Sequence, residues 1–268
     1  MATPEGLESA RYPIQAVERA LTIIQLLADS PGLRPLGVTE IAGHLGVSKS
    51  TAHRLVTTLV QFNFVARADQ VGKYRLGWAL YQVAHRLPHA TGVHTVAQPL
   101  MRRVGDELGE TVNLAVRYDA RMVIIESWGA PAGLRIETPR GVPQPLHISA
   151  CGKALLLDME EAALGRLLGG GRLPAVSPKT ITSVTDLYSD LVLARRRGYT
   201  LDDGEGGEGV RCVGAPVRDH RREIVAAVSV TGPSQRLNGP RLEEAARRVR
   251  LLSLDISRSV GFTGESTV

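Results

Sequence analysis

Cysteine is scarce in this chain of 268 residues: only Cys151 and Cys212 occur. Lying far apart in unlike contexts, they exclude a disulfide framework and a spaced set of zinc ligands, and they fit a reducing cytoplasm. Long apolar runs are missing as well. The most continuous, Ile224 to Val230, falls far short of the roughly 20 residues that cross a bilayer as a helix. The opening segment MATPEGLESARYP has no apolar signal core. These absences predict a cytoplasmic protein with no membrane partner, no metal and no cofactor. Disorder is excluded too, because 43% hydrophobic and 22% charged residues make an ordinary globular composition, long enough for two domains with their own cores. No internal repeat is visible.

Motifs for catalysis are equally thin. Lys153 lacks the glycine and spacing of a Walker loop. Gly204 to Gly209 spells G-x-G-x-x-G, but Glu205 and Glu208 would repel a pyrophosphate, and Val210 to Val217 reads as a strand where a dinucleotide site needs a helix. It reads as a flexible loop, set between Asp202-Asp203 and Arg211-Cys212, that either covers a pocket or stands in solvent. Glu126, Asp202 and Asp203 form no paired-carboxylate spacing. A nucleophilic Cys151 or Cys212 would need a base, and only His147 is close in sequence to either. No catalytic residue is therefore expected; the alternative is a small-molecule enzyme using Cys151 or Cys212 beside a vestigial DNA-binding module.

What is present is a helix-turn-helix pattern. In VTEIAGHLGVSKSTAHRLVTTL, Val38, Ile41, Ala42 and Leu45, then Ala52, Leu55, Val56 and Leu59, fall at helical spacing around Gly46-Val47-Ser48. Gly46 suits the left-handed end of the first helix and Ser48 the cap of the second. Ser48, Lys49, Ser50, Thr51, His53 and Arg54 then present hydrogen-bonding groups on the face left free, as phosphates and base edges in a major groove require. Between Arg34 and Arg86 there are seven Lys or Arg against two acids, a local excess equal to the +5 of the whole chain. A strand through Arg67, a turn at Asp69 to Gly72 and a return strand Lys73 to Leu76 form a wing, with Arg67, Lys73 and Arg75 beside the DNA backbone.

An amphipathic first helix, Ala16 to Ala28, with Val17, Ala20, Leu21, Ile24 and Leu27 on one face, packs on this motif. Helical pattern from Trp78 to Leu87 is broken by Pro88 and Gly92 before a helix from His94 to Leu108, which marks a domain boundary. Strand-like TVNLAV, MVIIESW and LRIET follow, then a Pro/Gly-rich loop from Pro139 to Pro145 and a helix beginning near Ser149. Helices around Glu160 to Leu168 and Asp186 to Arg197, a hairpin of RCVGAPVRD with EIVAAVSVTG, and a last helix opened by Pro240 complete an α+β domain with an antiparallel sheet. At Ser149-Ala150-Cys151-Gly152-Lys153, backbone N–H groups could hold a small anion, or Ser149 could simply cap the helix and Gly152 permit close packing.

The segments AVERALTIIQLLA, VTEIAGHLGVSKSTAHRLVTTL, GKYRLGWAL, GETVNLAV, LHISACGKALL, PKTITSVTDL, RRRGYTLDDGE, GVRCVGAPV and AAVSVTGP, in this order and spacing, resemble the IclR-type bacterial transcriptional regulators from about Gln15 to Phe262. That resemblance implies a flexible tail over 1–13, a winged helix-turn-helix domain over 14–76, a linker helix over 77–92, a GAF-like α/β effector-binding domain over 93–262 and a tail over 263–268. It implies homodimers or dimers of dimers on double-stranded operator DNA, with repression the commoner mode, and a small-molecule effector. By the same resemblance SKSTAHRL is the recognition helix, where the family often has proline in place of Ser48. Ala150 and Cys151 match the ligand-facing helix start, Asp202 the acidic residue after RRRGY, and Cys212 a pocket cysteine. Ser229 and Thr231 match a pair of hydroxyls of which the second is serine in the family, and Leu134 and Ile136 match apolar wall positions. Two apart on a strand, Ser229 and Thr231 face the same way, which suits a small organic acid whose carboxylate meets the N–H groups near Ala150 while Asp202 accepts a bond from a ligand hydroxyl.

Overall fold

The computed structural model describes residues 14–85, 91–129, 136 and 139–264, and the chain divides into two compact units between positions 87 and 88. Positions 1–13, the middle of the expected linker at 86–90, Leu134 and positions 265–268 lie outside the described residues.

The first unit contains α1 (Gln15–Ala28), β1 (Leu36–Gly37), α2 (Val38–Leu45), α3 (Lys49–Gln61), β2 (Val65–Arg67), β3 (Lys73–Leu76) and α4 (Trp78–His85). Short amphipathic helices cannot bury their apolar stripes alone. Here Ile23 and Leu27 of α1, Val38, Ile41 and Ala42 of α2, and Ala52, Val56 and Leu59 of α3 meet in one core, closed by Leu36, Val65 and Tyr74 of an antiparallel sheet ordered β1-β3-β2. Gly46 ends α2 at φ 62°, a left-handed conformation that glycine adopts without strain. Ser48 then starts α3 by accepting the Thr51 N–H at 3.2 Å. The N–H of Ala79, early in α4, donates to the Asn63 carbonyl at 3.0 Å.

The second unit runs α5 (Thr91–Leu108), β4 (Thr111–Tyr118), β5 (Arg121–Trp128), β6 (Pro143–Pro145), α6 (Ala150–Leu155), α7 (Glu161–Leu168), α8 (Val184–Arg197), β7 (Thr200–Asp202), β8 (Val210–Arg218), β9 (Ile224–Pro233) and α9 (Gly239–Ser259). Six strands pair antiparallel in the order β6-β5-β4-β9-β8-β7. Because side chains alternate across a strand, each face has its own composition. One face carries Val112, Leu114, Val213, Ala215, Val217, Val228 and Val230 against Ala97, Met101 and Val104 of α5 and Ala245, Val249, Leu252 and Ile256 of α9. The opposite face carries Ala115, Met122, Ile124 and Ala227 under α6, α7 and α8.

Several local expectations are corrected. Val17 and Leu21 are exposed, at 53% and 56%; at 100° per residue Leu21 turns about 160° from Ile23, so the buried stripe of α1 is centred on Ile23 and Leu27. Ile136 is not in a strand, and the edge strand on that side is β6, inside the stretch expected to be loop. Proline is tolerated there because a sheet edge leaves its missing N–H without consequence. The helix expected from His94 begins at Thr91, and α4 ends at His85 within the first unit. The segment after Asp202 is not free: Glu205 is buried and bonded to Lys153.

Candidate functional site

In the first unit, the spacing that buries Ala52, Val56 and Leu59 turns Lys49, Ser50, His53 and Arg54 outward, with Thr51 half-buried. No acidic residue lies on α3. The Ser48 hydroxyl sits 2.9 Å from both the Ser50 and the Thr51 hydroxyl, so cap and candidate contacts form one polar cluster at the helix start. In the hairpin the register pairs Ala66 with Arg75 and Arg67 with Tyr74. Lys73 and Arg75 therefore share one face, and Arg67 leaves from the other. Lys73 also approaches α2, where Glu40 accepts the Gly37 N–H at 2.8 Å and pairs with Arg34 at 2.9 Å, bonds that hold its carboxyl below the usual range.

The second unit holds a cavity of about 190 Å³, and its floor follows from strand register. One cross-strand row runs Asp202, Cys212, Thr231 and Thr111, and the next runs Thr200, Gly214, Ser229, Asn113 and Ser127. Where the third row becomes Pro216, Ala227 and Ala115, α6 settles on the sheet: the Cys151 thiol lies 3.7 Å from the Ala227 carbonyl and Thr200 donates to the Ala150 carbonyl at 2.7 Å. Small residues permit this approach, since a Cβ at Gly214 would meet the Ala150 carbonyl at 2.8 Å and one at Gly152 would overlap the Leu146 carbonyl. Ser149 caps α6 by accepting the Gly152 N–H at 3.0 Å. Capping and close packing both hold at this helix start, which also borders the cavity.

Ile136, Ala150, Cys151, Asp202, Cys212, Ser229 and Thr231 all line this cavity, so every sequence-predicted effector position within the described residues comes to one place. Sequence reasoning missed Asn113, Gln144, Met122, Ile124 and the loop glycines Gly206 and Gly207 in the wall. Asn113 was detectable by parity, as the polar residue on the small-residue face of TVNLAV. No Lys, Arg or His belongs to the lining found among the described residues. Both thiols are held protonated: burial pushes Cys151 up to about 12, and burial with the neighbouring Asp202 charge raises Cys212 well above its ordinary value. The ring of His147, the one histidine near them in sequence, is bonded to the Pro174 carbonyl at 2.9 Å.

Behind the cavity lies an ion network that sequence reasoning also missed. Lys153 is fully buried, with its ammonium 2.8 Å from Asp190 and 2.7 Å from Glu205. Burial raises the Glu205 carboxyl despite the lysine's opposing charge. The Glu205 N–H donates to Asp202 Oδ1 at 2.7 Å and that of Gly206 at 3.4 Å, while burial raises Asp202 above the usual carboxylate range. A chain of bonds thus runs from α8 through Lys153 and the loop to the cavity wall.

Residues 16–69 match the IclR helix-turn-helix domain, and residues 85–258 match the C-terminal domain of bacterial IclR transcriptional regulators. The transcriptional repressor IclR of Escherichia coli K12 is 32% identical over 250 residues, covering 92% of this chain and 90% of that protein. The crystal structure of Thermotoga maritima IclR superposes with a TM-score of 0.80 at 26% identity, over 93% of this chain and all of that one. An IclR homologue from Microbacterium hydrocarbonoxydans, crystallised with 4-hydroxybenzoate, gives a TM-score of 0.77 at 25% identity, over 91% of this chain and 98% of that one. Among the described residues no helix is long and apolar enough to cross a membrane.

Proposed function

The chain belongs to the IclR family of bacterial transcriptional regulators, and from that premise we propose that it is a cytoplasmic, effector-responsive repressor of a metabolic operon, acting as a homodimer or dimer of dimers. Ser48, Lys49, Ser50, Thr51, His53 and Arg54 enter the major groove of the operator, and Arg67, Lys73 and Arg75 serve the phosphates. The effector is a small organic acid bound among Ala150, Cys151, Asp202, Cys212, Ser229 and Thr231, with Leu134 and Ile136 as apolar wall. Binding of effector and of operator are linked, each favouring one arrangement of the paired chains.

The observation that carries this reading is the cavity itself, a polar-floored space of about 190 Å³ in a chain whose other unit presents an acid-free recognition helix. An engineered cavity of about 150 Å³ holds a benzene molecule, so the space suits an acid no larger than one substituted ring. The acid bound by the Microbacterium homologue is of that size. An enzyme built on Cys151 or Cys212 is disfavoured, because both thiols are buried and held in the neutral form, which makes them poor nucleophiles. The test is fluorescence anisotropy with DNA from upstream of the chain's own gene. Lys49→Ala and Arg54→Ala each weaken binding and reduce the salt slope by about 1. A small acid found by thermal shift releases the DNA from the wild type and not from Asp202→Ala. Salt-independent binding, or unchanged affinity in both helix variants, refutes the DNA half; normal release from Asp202→Ala refutes the effector half.

A further inference from the structure

We propose that Asn113 selects the ligand of this cavity, so that the small acids it accepts are those carrying a hydroxyl beside the carboxylate. The proposal rests on reading the cavity as the effector site. It names the chemical class, 2-hydroxy acids, that the floor of the site recognises.

Asn113 stands on β4, in the middle of the six-stranded sheet, 2% exposed and in the cavity wall. Its Nδ2 donates to Thr231 Oγ1 at 3.2 Å, whereas its Oδ1 is buried with no hydrogen-bond partner among the described residues. The other polar groups of the wall are largely committed. Ser149 accepts the Gly152 N–H and donates to Met122 Sδ, Cys151 donates to the Ala227 carbonyl, and Asp202 Oδ1 accepts two N–H groups from its own loop. Asn113 Oδ1 is the fully buried side-chain oxygen of this wall that no described residue bonds.

A buried amide oxygen with no donor is costly, and a ligand that donates to it recovers that cost. An ionised acid without a hydroxyl has only acceptors and places oxygen or hydrocarbon against Oδ1. Thr231 adds the complementary half: its oxygen takes the Asn113 N–H, and its own hydrogen, which meets only the weakly accepting sulfur of Cys212, can turn to a ligand oxygen. One acceptor and one donor thus stand side by side on neighbouring strands. A 2-hydroxy acid presents the matching pair, its hydroxyl donating to Oδ1 and a carboxylate oxygen accepting from Thr231. With no cationic side chain in the described lining, these neutral bonds carry more of the discrimination than they would beside an arginine. Sites that bond a ligand hydroxyl discriminate strongly against the analogue lacking it, because the site's own polar group is then left unpaired.

Isothermal titration of the full-length protein with matched acids tests this: lactate against propionate, malate against succinate, mandelate against phenylacetate. In any pair that fits, the hydroxy acid binds at least tenfold tighter. Asn113→Leu, of similar volume, brings the two members to within about twofold, and melts close to the wild type because the loss of the bond to Thr231 is offset by removing a buried oxygen that has no donor. Should Asn113→Leu not fold, Asn113→Ala and the wild-type ratios decide. Equal binding of both members, or a preference that persists without the amide, overturns the role of Asn113 while leaving the acid-binding reading intact. If no acid of either series binds, the acid-binding reading falls and this proposal with it.

Discussion

Replacing Lys153 by methionine tests whether the buried ion network holds the cavity wall. Lys153 is wholly buried between Asp190 and Glu205, whose side chains are 20% and 11% exposed. Removing one partner of a buried ion pair costs about 3–5 kcal/mol, most of it from the charge left behind. Asp190 keeps Arg197 at 3.6 Å, so Glu205 is the carboxylate left without a cation, and the lower end, about 3 kcal/mol, applies. For a unit of this size each kcal/mol moves the midpoint by about 2–4 °C, so differential scanning calorimetry of the full-length protein shows the second unit melting about 6–12 °C lower. Burial already raises Glu205 above its ordinary 4.5, and loss of the lysine raises it further. A carboxyl whose folded value is raised stabilises the fold when protonated, and that contribution is lost as pH rises through the folded value. The gap between wild type and variant therefore widens from pH 4.5 towards neutrality, and adding Glu205→Gln closes most of it. A variant that melts within 2 °C of wild type at pH 7.5, or a gap independent of pH, would refute the reasoning.

Two further outcomes follow from the same geometry. Gly152→Ala forces a methyl into the Leu146 carbonyl, an overlap with backbone that no rotamer relieves; it costs about 3 kcal/mol in urea unfolding and abolishes the thermal shift given by an effector. The native protein resists iodoacetamide at pH 8, because Cys151, pushed up to about 12, and the still buried Cys212 are both thiols at that pH. In denaturant both react, and mass spectrometry counts two adducts; rapid labelling of the native state would show that the cavity opens far more than its packing implies.

Local signals were legible in the sequence where the physics is local. Gly46 and Ser48 announce the turn and cap of the helix-turn-helix, and Ser149 announces the start of α6, because each needs only its neighbours within three residues. The hairpin of β8 and β9 was legible for the same reason. β1 and β7, at two and three residues, are too short to carry a period, and they exist because an exposed sheet edge pairs with whatever backbone lies beside it. Val17 and Leu21 misled because apolar residues at helical spacing do not say which of two overlapping stripes has a partner. The Lys153–Glu205 pair joins residues 52 apart, and Glu205 looked like a solvent residue among glycines. Family resemblance supplied Asp202, Cys212 and Ser229, but Asn113 is defined only by what its Oδ1 lacks, and that takes three dimensions.

The two faces of the six-stranded sheet explain how one domain can be both stable and responsive. The central pocket residues are flanked in sequence by apolar residues of the opposite face: Asn113 by Val112 and Leu114, and Ser229 by Val228 and Val230. Moving a floor side chain along its strand would drag those residues out of the core against α5 and α9, and a one-residue slip would exchange the faces altogether. The floor is therefore a fixed reader. Adjustment falls to the rim, where Gly206 and Gly207 follow Glu205 and where Pro139 and Gln144 lie outside the central strands. Since the loop end of that rim is tied through Glu205 to Lys153, a ligand that displaces Asp202 must strain a buried ion pair, whereas one that completes the bonding of Asn113 leaves it intact. With the cavity read as the effector site, as proposed above, affinity is expected to depend mainly on the floor and the coupling of binding to shape on the rim, so that Asn113→Leu should alter which acid binds and Lys153→Met what binding does.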